Sequence, residues 1–487
     1  MSDIRFVDTT LRDGNQSLWA MNMPTGAMLP VAEQMDRAGF ESIEFFSSGM
    51  FRKYVHEHKE NPWDWVRLGV KKFTRTRLRY HGGMHSVFEK TPTCILKLLA
   101  ERLISYGITL TRTSNSWNDF DSFKHEVEQL TAIGMETVAN LIYTVSPHHT
   151  DDYFAQKARD AAAMRPYRIC FKDVGGLLTP ERTRTLIPII QNNVGAVPLE
   201  FHAHCNSGQA PLCYVEAVKL GLHTLHTSIP PLANGSGQPS IFNIARNVRA
   251  LGHTPCVDVE ALEPVRDHFM AVAKQRGFPI GQPLEYDYSQ YLHQIPGGMI
   301  SNLRHQLKLV GMEGRIDEVL EEAARVRAEF GYPIMVTPLS QFVGAQASIN
   351  VIIGERYKEV VDQVIQYALG MWGKEAVRVM DPEIRAKILN RTRAKEWEDW
   401  TQPEPSLAEV RRKFPTGISD EELILRILAG DEQVDAMQGA GKPLDYLDGK
   451  EPLVKLIEDM AKRNSCTQVY VTRPGFSLRL ERRSQHG

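Results

Sequence analysis

Two histidines separated by a single residue are the clearest indication of chemistry in this 487-residue sequence. His202 and His204 end a segment, residues 199–204, whose residue types predict a β-strand. Side chains two residues apart in a strand point to the same face, so both imidazoles can reach one ion. Because imidazole nitrogen suits Zn, Mn and Co, the spacing favours a metal site over a pair of histidines with only a packing role.

A second group of polar side chains follows the first predicted strand, residues 4–8. Residues 8–17 read DTTLRDGNQS and bring together two carboxylates, a guanidinium and an amide. Polar groups crowded at a strand end are costly to bury unless they hold something. A divalent metal and an anionic or carbonyl substrate would satisfy them, whereas a polar turn after an edge strand is the simpler alternative. Asp13 is the candidate metal ligand of this segment.

Lys172 lies near the end of another predicted strand, residues 168–173, on the same face as Cys170. A free ammonium pointing inward is costly. The lysine can lose its proton, pair with Asp13 or Asp173, or react with CO2 to form a carbamate, and residue types alone do not rank these outcomes. As a carbamate, Lys172 would join Asp13 and the two histidines in an oxygen and nitrogen ligand set suited to Zn, Mn or Co.

Short β-like segments alternate with amphipathic helical segments from residue 4 to about residue 250. The predicted strands are residues 4–8, 42–46, 77–81, 109–113, 137–143, 168–173, 199–204 and 224–229. The predicted helices include residues 27–38, 94–106, 123–132, 152–164, 180–191 and 211–220. Eight strands alternating with helices predict an α/β fold, a (β/α)8 TIM barrel. A doubly wound open sheet is the main alternative, but polar residues end nearly every strand instead of collecting at one switch point.

The remaining sequence predicts a barrel domain at residues 1–300, a mainly helical domain at residues 301–445, and a tail at residues 446–487. The tail contains one predicted helix, residues 453–463, and one predicted strand, residues 467–472.

Composition excludes several functional classes. The formal net charge is −2 without a long run of like charges, which gives no reason to expect nucleic acid or a membrane surface as a partner. No apolar stretch approaches the length of about 18 residues that a membrane span needs. The beginning of the chain lacks the shape of a signal peptide, and the six scattered cysteines form no CxxC pair. These features predict a cytoplasmic protein.

Several short motifs occur in a fixed order along the chain. They are DTTLRDGNQS at residues 8–17, FKDVGGLL at 171–178, HAH at 202–204, SGQPS at 236–240, PGGM at 296–299, VTPLSQ at 336–341 and GERY at 354–357. Together they resemble the carboxyltransferase domain of pyruvate carboxylase, the oxaloacetate decarboxylase alpha subunit and the transcarboxylase central subunit, which are metal-dependent barrels similar to HMG-CoA lyase. The resemblance extends from residue 4 to about residue 445.

The resemblance implies a divalent metal held by Asp13, His202, His204 and a carbamate on Lys172. It also implies that CO2 moves between carboxybiotin and a metal-bound enolate of a 2-oxo acid or a related carbonyl substrate. The biotin would be attached to a separate carrier protein, because the carrier's AMKM-type lysine motif is absent from this sequence. A biotin carboxylase subunit is a further expected partner, and a homodimer or larger complex is expected.

The same resemblance assigns roles to further side chains. Arg12 would stabilise developing negative charge, Gln16 matches an active-site glutamine that also binds substrate, and Ser236 corresponds to a threonine that transfers a proton. Arg79 and Arg112 are the candidate substrate ligands that persist within two altered motifs, residues 78–82 and 111–115. These alterations leave the identity of the substrate open.

Two other functions are compatible with the sequence. One is a biotin-independent, metal-dependent lyase or aldolase-type enzyme that uses the same barrel. The other is a non-catalytic assembly subunit, although the intact ligand set of Asp13, Lys172, His202 and His204 argues against it.

Overall fold

The computed structural model describes residues 2–84, 91–441, 460, 468–473 and 476–481. The predicted helix at residues 453–463 lies outside the described residues except for residue 460. The predicted strand at residues 467–472 corresponds to a described strand that begins at Gln468.

Eight parallel strands form a closed barrel. They are β1 (Asp3–Asp8), β2 (Ser42–Ser47), β3 (Arg77–His81), β4 (Leu110–Thr113), β5 (Glu136–Ile142), β6 (Arg168–Asp173), β7 (Leu199–Ala203) and β8 (Thr224–Thr227). Each strand pairs with the next, and β1 pairs with both β8 and β2. Asp8 lies opposite Thr227 of β8 on one side and opposite Ile43 of β2 on the other, so the sheet closes on itself. The predicted (β/α)8 barrel is confirmed, and the open-sheet alternative is wrong.

The described residues form three further strands outside the eight-stranded barrel. A short β9 (Thr254–Pro255) pairs with the beginning of β1, while β10 (Gln468–Arg473) and β11 (Phe476–Glu481) form a separate antiparallel pair.

Helices alternate with the barrel strands and continue to residue 440. Those up to β9 are α1 (Asn15–Trp19), α2 (Thr25–Met28), α3 (Ala32–Arg37), α4 (Gly49–Lys53), α5 (Pro62–Gly69), α6 (Thr93–Ser105), α7 (Phe120–Ala132), α8 (Asp151–Ala163), α9 (Pro180–Gln191), α10 (Ala210–Lys219) and α11 (Ile241–Ala250). Those after β9 are α12 (Glu263–Arg276), α13 (Ser289–His293), α14 (Gly297–Leu309), α15 (Ile316–Glu329), α16 (Leu339–Ile353), α17 (Asp362–Ala368), α18 (Lys374–Val379), α19 (Pro382–Leu389), α20 (Thr392–Glu398), α21 (Leu407–Arg411), α22 (Asp420–Ala429) and α23 (Asp431–Ala440). The chain also forms 3₁₀ turns at Leu29–Val31 and Glu313–Arg315 and π-helical turns at Thr10–Gly14 and Tyr54–His58.

Local sequence explains how individual helices begin and end. Thr179 caps α9 by accepting a hydrogen bond from the backbone N–H of Arg182, and Pro180 occupies the first turn, where no backbone donor is needed. The helix predicted at residues 27–38 is instead split into α2, a tight turn and α3. Pro30 lies in that turn and lacks an N–H, which removes one α-helical hydrogen bond at this point.

The described helices after the barrel pack into two different cores. Residues 295–397, together with Trp117 from the segment after β4, build a second core around Phe330, Phe342 and Tyr367. The apolar side chains of α22 and α23, such as Leu423 and Val434, belong to the barrel core. The helical domain predicted at residues 301–445 therefore contributes to both cores, and its limits stay a prediction. Among the helices within the described ranges, none is both long and apolar enough to cross a bilayer.

Hydrogen bonds and ion pairs of Glu421 hold α22 against the outside of the barrel. Its carboxylate accepts from Arg67 at 2.6 Å, Arg102 at 3.1 Å and the hydroxyl of Tyr106 at 2.5 Å. Its backbone carbonyl accepts from the indole N–H of Trp63 at 3.0 Å. Because the Glu421 side chain is only 16% exposed, these contacts are partly shielded from water.

We expect Glu421→Ala to destabilise the docking of α22 by about 1–2 kcal/mol, because three donors lose a partly buried acceptor. Hydrogen–deuterium exchange of α22 and α23 should become faster, and the urea midpoint should fall. Glu313→Ala, at an exposed position, is the matched control and should leave both measurements unchanged. Unaltered exchange in α22 of the Glu421 variant would contradict this assignment.

Candidate active site

Asp13 reaches the mouth of the barrel on a helical turn, Thr10–Gly14, that directly follows β1. The backbone N–H of Gly14 donates to the carbonyl of Thr9 at 2.9 Å and closes this turn. A Cβ at Gly14 would lie 2.7 Å from the carbonyl oxygen of Leu232. Only glycine allows this close approach, which holds the turn against the loop after β8.

Asp13, His202 and His204 converge at the carboxyl ends of β1 and β7. The Oδ1 atom of Asp13 lies 3.6 Å from Nε2 of His204, and its Oδ2 lies 3.7 Å from Nε2 of His202. All three side chains are buried, and one ligand atom from each lies within 4.8 Å of the others. Ligand atoms of one tetrahedral ion are roughly 3.5 Å apart, so the three residues fit a single metal.

The side-chain amide of Gln238 faces one candidate ligand atom of each of these three residues. Its amide Nε2 lies 3.0 Å from Nε2 of His204, 3.2 Å from Nε2 of His202 and 3.3 Å from Oδ1 of Asp13. Its Oε1 accepts from the hydroxyl of Thr9 at 2.7 Å, which sets the orientation of the amide. Sequence reasoning missed this position, although Gln238 lies within the SGQPS motif. A cation bound by the three residues would displace the amide nitrogen from them.

The Nδ1 atoms of His202 and His204 contact different partners. The Nδ1 of His204 lies 2.6 Å from the backbone carbonyl oxygen of Ser236. A carbonyl can only accept, so Nδ1 carries the proton and Nε2 is free to bind a metal. The Nδ1 of His202 lies 3.1 Å from Nδ1 of His226, whose Nε2 lies 3.0 Å from Glu200.

Lys172 is buried on β6 and is the register partner of His202 on β7. Burial and, after it, the guanidinium of Arg112 lower the pKa of Lys172 to about 8. Asp13 pairs with Arg12 at 2.6 Å, and Asp173 accepts two backbone N–H groups at 3.0 and 2.8 Å. In the described part of the chain, neither carboxylate forms an ion pair with the lysine.

Glu44 links two of the predicted arginines. Its Oε2 accepts from Nε of Arg12 at 2.8 Å, and its Oε1 lies 2.5 Å from Nη2 of Arg112. Burial opposes ionisation, but Arg112 and then Arg12 hold the pKa of Glu44 below its ordinary value. Burial also opposes ionisation of Asp13, but Arg12 and His204 hold its pKa well below the ordinary value. Sequence reasoning missed Glu44, and its inward position in β2 was the available signal.

Gln16 and Ser236 lie at the rim of the mouth. Gln16 is exposed, and its Oε1 accepts from Nη1 of Arg12 at 3.3 Å. Ser236 is half-buried, and its hydroxyl donates to the carbonyl of Ser17 at 2.7 Å, which ties the loop after β8 to α1. The role of Ser236 in proton transfer stays a prediction.

Arg79 is the predicted site residue that lies apart from the mouth. Its Nη1 and Nη2 donate to the two carboxylate oxygens of Glu200 at 2.6 and 2.9 Å, and both side chains are fully buried. Both terminal nitrogens are occupied by this partner, so the geometry does not favour the expected contact of Arg79 with substrate.

Two family models match the chain. The HMGL-like model covers residues 105–268, which include β4 to β8, and the conserved carboxylase domain covers residues 291–440, which include α14 to α23.

Relatives with similar sequences include enzymes that act on several substrates. A pyruvate carboxylase subunit of Methanocaldococcus jannaschii is 34% identical over 80% of this chain and 68% of its own length. The 2-oxoglutarate carboxylase large subunit of Hydrogenobacter thermophilus is 30% identical over 87% of this chain and 67% of its own length. The methylmalonyl-CoA carboxyltransferase 5S subunit of Propionibacterium freudenreichii subsp. shermanii is 28% identical over 76% of this chain and 74% of its own length.

The fold also matches a solved structure. The carboxyl transferase domain of pyruvate carboxylase from Rhizobium etli superposes with a TM-score of 0.80 at 20% identity, covering 99% of this chain and 84% of that domain. This chain therefore belongs to the family of biotin-dependent carboxylase and carboxyltransferase enzymes that includes the pyruvate carboxylase subunit of Methanocaldococcus jannaschii.

Proposed function

We propose that this chain is the carboxyltransferase subunit of a multisubunit biotin-dependent carboxylase or decarboxylase. The observation that carries the proposal is the convergence of Asp13, His202 and His204 within 4.8 Å of one another, beside Lys172 on the neighbouring strand. The names of the relatives, which include subunits of pyruvate and 2-oxoglutarate carboxylases, support the same conclusion.

Asp13, His202 and His204, with Lys172 as a carbamate, would hold Zn, Mn or Co. Such an ion, when bound, acts as a Lewis acid on a substrate carbonyl and favours its enolate form. The lowered pKa of Lys172 supports the carbamate, because only the neutral amine reacts with CO2. With a pKa of about 8, roughly a tenth of the amine is neutral at pH 7, far more than for an ordinary lysine.

The charges around the site suit an anionic substrate. Arg12 and Arg112 balance Glu44 and Asp13, so a divalent ion and one carbamate would leave the cluster with a net positive charge. A 2-oxo acid or a related carboxylated carbonyl compound would neutralise it. Gln16, exposed beside Arg12, would contribute an amide hydrogen bond at the rim.

The transfer exchanges one bond to CO2 for another and needs no oxidant or reductant. The N–CO2 bond of carboxybiotin breaks and releases CO2, and the ureido nitrogen takes the proton that leaves the carbon next to the substrate carbonyl. That carbon then forms a new C–C bond to CO2, and decarboxylation is the reverse. Biotin would arrive on a separate carrier protein that a biotin carboxylase subunit recharges.

A biotin-independent lyase or aldolase-type activity is the second candidate. The match of the HMGL-like model to residues 105–268 favours it, since Lys172, His202 and His204 lie within that range. The two candidates differ in whether turnover requires a biotinylated partner.

We expect Lys172→Ala to lose its bound metal and its turnover together, because one ligand of the proposed metal centre is removed. Metal content of the purified protein, measured by mass spectrometry, tests the first effect. Lys157→Ala, which removes a buried lysine paired with Glu375 outside the barrel, is the matched control. Unchanged metal content in the Lys172 variant would rule out Lys172 as a ligand.

CO2-dependent activation should depend on pH with a defined sign. The neutral fraction of Lys172 increases as the pH rises to its pKa of about 8 and then levels off. At a constant concentration of dissolved CO2, the rate of metal uptake by stripped protein should therefore rise about eightfold from pH 6.5 to 7.5 and flatten above about pH 8.5. A flat profile, or an equal CO2 response in Lys172→Ala, would contradict carbamate formation.

Exchange of labelled bicarbonate into a panel of 2-oxo acids tests the function directly. We expect exchange only when the protein is combined with its co-purified biotinylated partner, detected with labelled streptavidin. Avidin should block the exchange by sequestering biotin. Carbon–carbon bond cleavage or formation that continues with avidin and without any biotinylated protein would favour the lyase instead.

A further inference from the structure

A row of polar side chains behind His202 is not used in the proposed reaction. It runs from His202 to His226, then to Glu200 and Arg79, on strands β7, β8 and β3. All four side chains are fully buried. Buried polar groups without a role are costly, so such a continuous row calls for an explanation.

The positions of the protons follow from the end of the row. Arg79 donates to both oxygens of Glu200, at 2.6 and 2.9 Å, and holds the group as a carboxylate that can only accept. Nε2 of His226 lies 3.0 Å from Oε1 of Glu200, so this nitrogen carries a proton. The amide nitrogen of Gln238 can only donate, and it lies 3.2 Å from Nε2 of His202, so the proton of the His202 ring is on Nδ1. The remaining nitrogen of His226, Nδ1, faces this proton and therefore offers a lone pair.

That lone pair determines the tautomer of His202. The two Nδ1 atoms are 3.1 Å apart, so one must donate and the other must accept. Since His226 accepts, His202 carries its proton on Nδ1 and a lone pair on Nε2, which faces the amide nitrogen of Gln238 at 3.2 Å. This Nε2 is the atom that lies 3.7 Å from Oδ2 of Asp13.

We propose that Arg79, Glu200 and His226 act as a positioning relay that keeps His202 in the tautomer able to bind metal through Nε2. The inference rests on the metal centre of the proposed function and deepens it. His204 obtains the same tautomer from the backbone carbonyl of Ser236, so only His202 depends on side chains for it. The relay also gives the retained Arg79 a role other than substrate binding.

The side chains around Glu200 and His226 do not form a second metal site. Cys170, Glu200 and His226 lie close enough together to hold an ion. However, both oxygens of Glu200 are occupied by Arg79, and burial raises the pKa of the Cys170 thiol to about 12. The thiol is therefore not available as a thiolate, which is the form that binds metal.

The first test reads the tautomer in metal-free protein labelled with 15N-histidine. Long-range proton–nitrogen NMR should find His202, identified by loss of its signals in His202→Gln, with a proton on Nδ1 and an unprotonated Nε2. A proton on Nε2 of His202 in the unsubstituted protein would overturn the relay. This measurement depends neither on a bound metal nor on activity.

The second test compares two substitutions of His226. His226→Phe keeps a ring of similar shape without an acceptor, and His226→Asn can place an oxygen where Nδ1 was. Chelator competition should find Zn2+ binding about 10–100-fold weaker in the phenylalanine variant and within about threefold of normal in the asparagine variant. His268→Phe, which removes a buried imidazole on α12, is the matched control and should bind Zn2+ normally.

The outcomes separate the relay from the metal centre. If the unsubstituted protein binds no stoichiometric metal and Asp13→Ala leaves the metal content unchanged, the proposed metal centre is wrong. The NMR measurement of the His202 tautomer still tests the relay in that case. If metal binds through Asp13 but a folded His226→Phe binds Zn2+ as tightly as the unsubstituted protein, the relay is wrong and the metal centre stands. Should the phenylalanine variant not fold, the tautomer of His202 in the unsubstituted protein decides.

Discussion

Compensation of buried charge inside the barrel is the physical requirement behind the arrangement of its arginines. Three buried carboxylates have guanidinium partners: Asp13 with Arg12, Glu44 with Arg12 and Arg112, and Glu200 with Arg79. Removing the arginine from such a pair would leave an uncompensated buried charge, at a cost of several kcal/mol. The ionised state of Asp13, which metal binding needs, follows from this network.

Lys172 is a buried group for which the described residues supply no compensating ion pair. Lys172 lies next to His202 across the sheet, in surroundings where Arg112 already supplies positive charge. An ammonium is disfavoured there, whereas an anionic group facing a cation would be favoured. The electrostatics that hold Asp13 ionised therefore also favour a neutral amine that can be modified by CO2.

Much of the fold could be predicted from the sequence because the signals are local. The alternation of strands with helices predicted the barrel, and the ordered motifs predicted its family. The HAH spacing brought His202 and His204 to one face because strand geometry requires it. The helix predicted at residues 27–38 is interrupted at the turn that contains Pro30, whereas α9 continues through Pro188, so proline alone does not predict a break. The close packing of the turn at Gly14 against Leu232 is a tertiary contact that no local pattern indicated.

The order of residues along the chain specifies which side chains are available and at which strand ends they stand. Their partners depend on how the strands assemble: Gln238 faces three candidate ligands, Glu44 joins two arginines, and Glu200 binds both Arg79 and His226. The contact between Gln238 and Asp13 joins residues 225 positions apart in the chain. Closure of the barrel brings such residues together, and no periodicity or spacing along one strand carries information about the side chain that another strand presents.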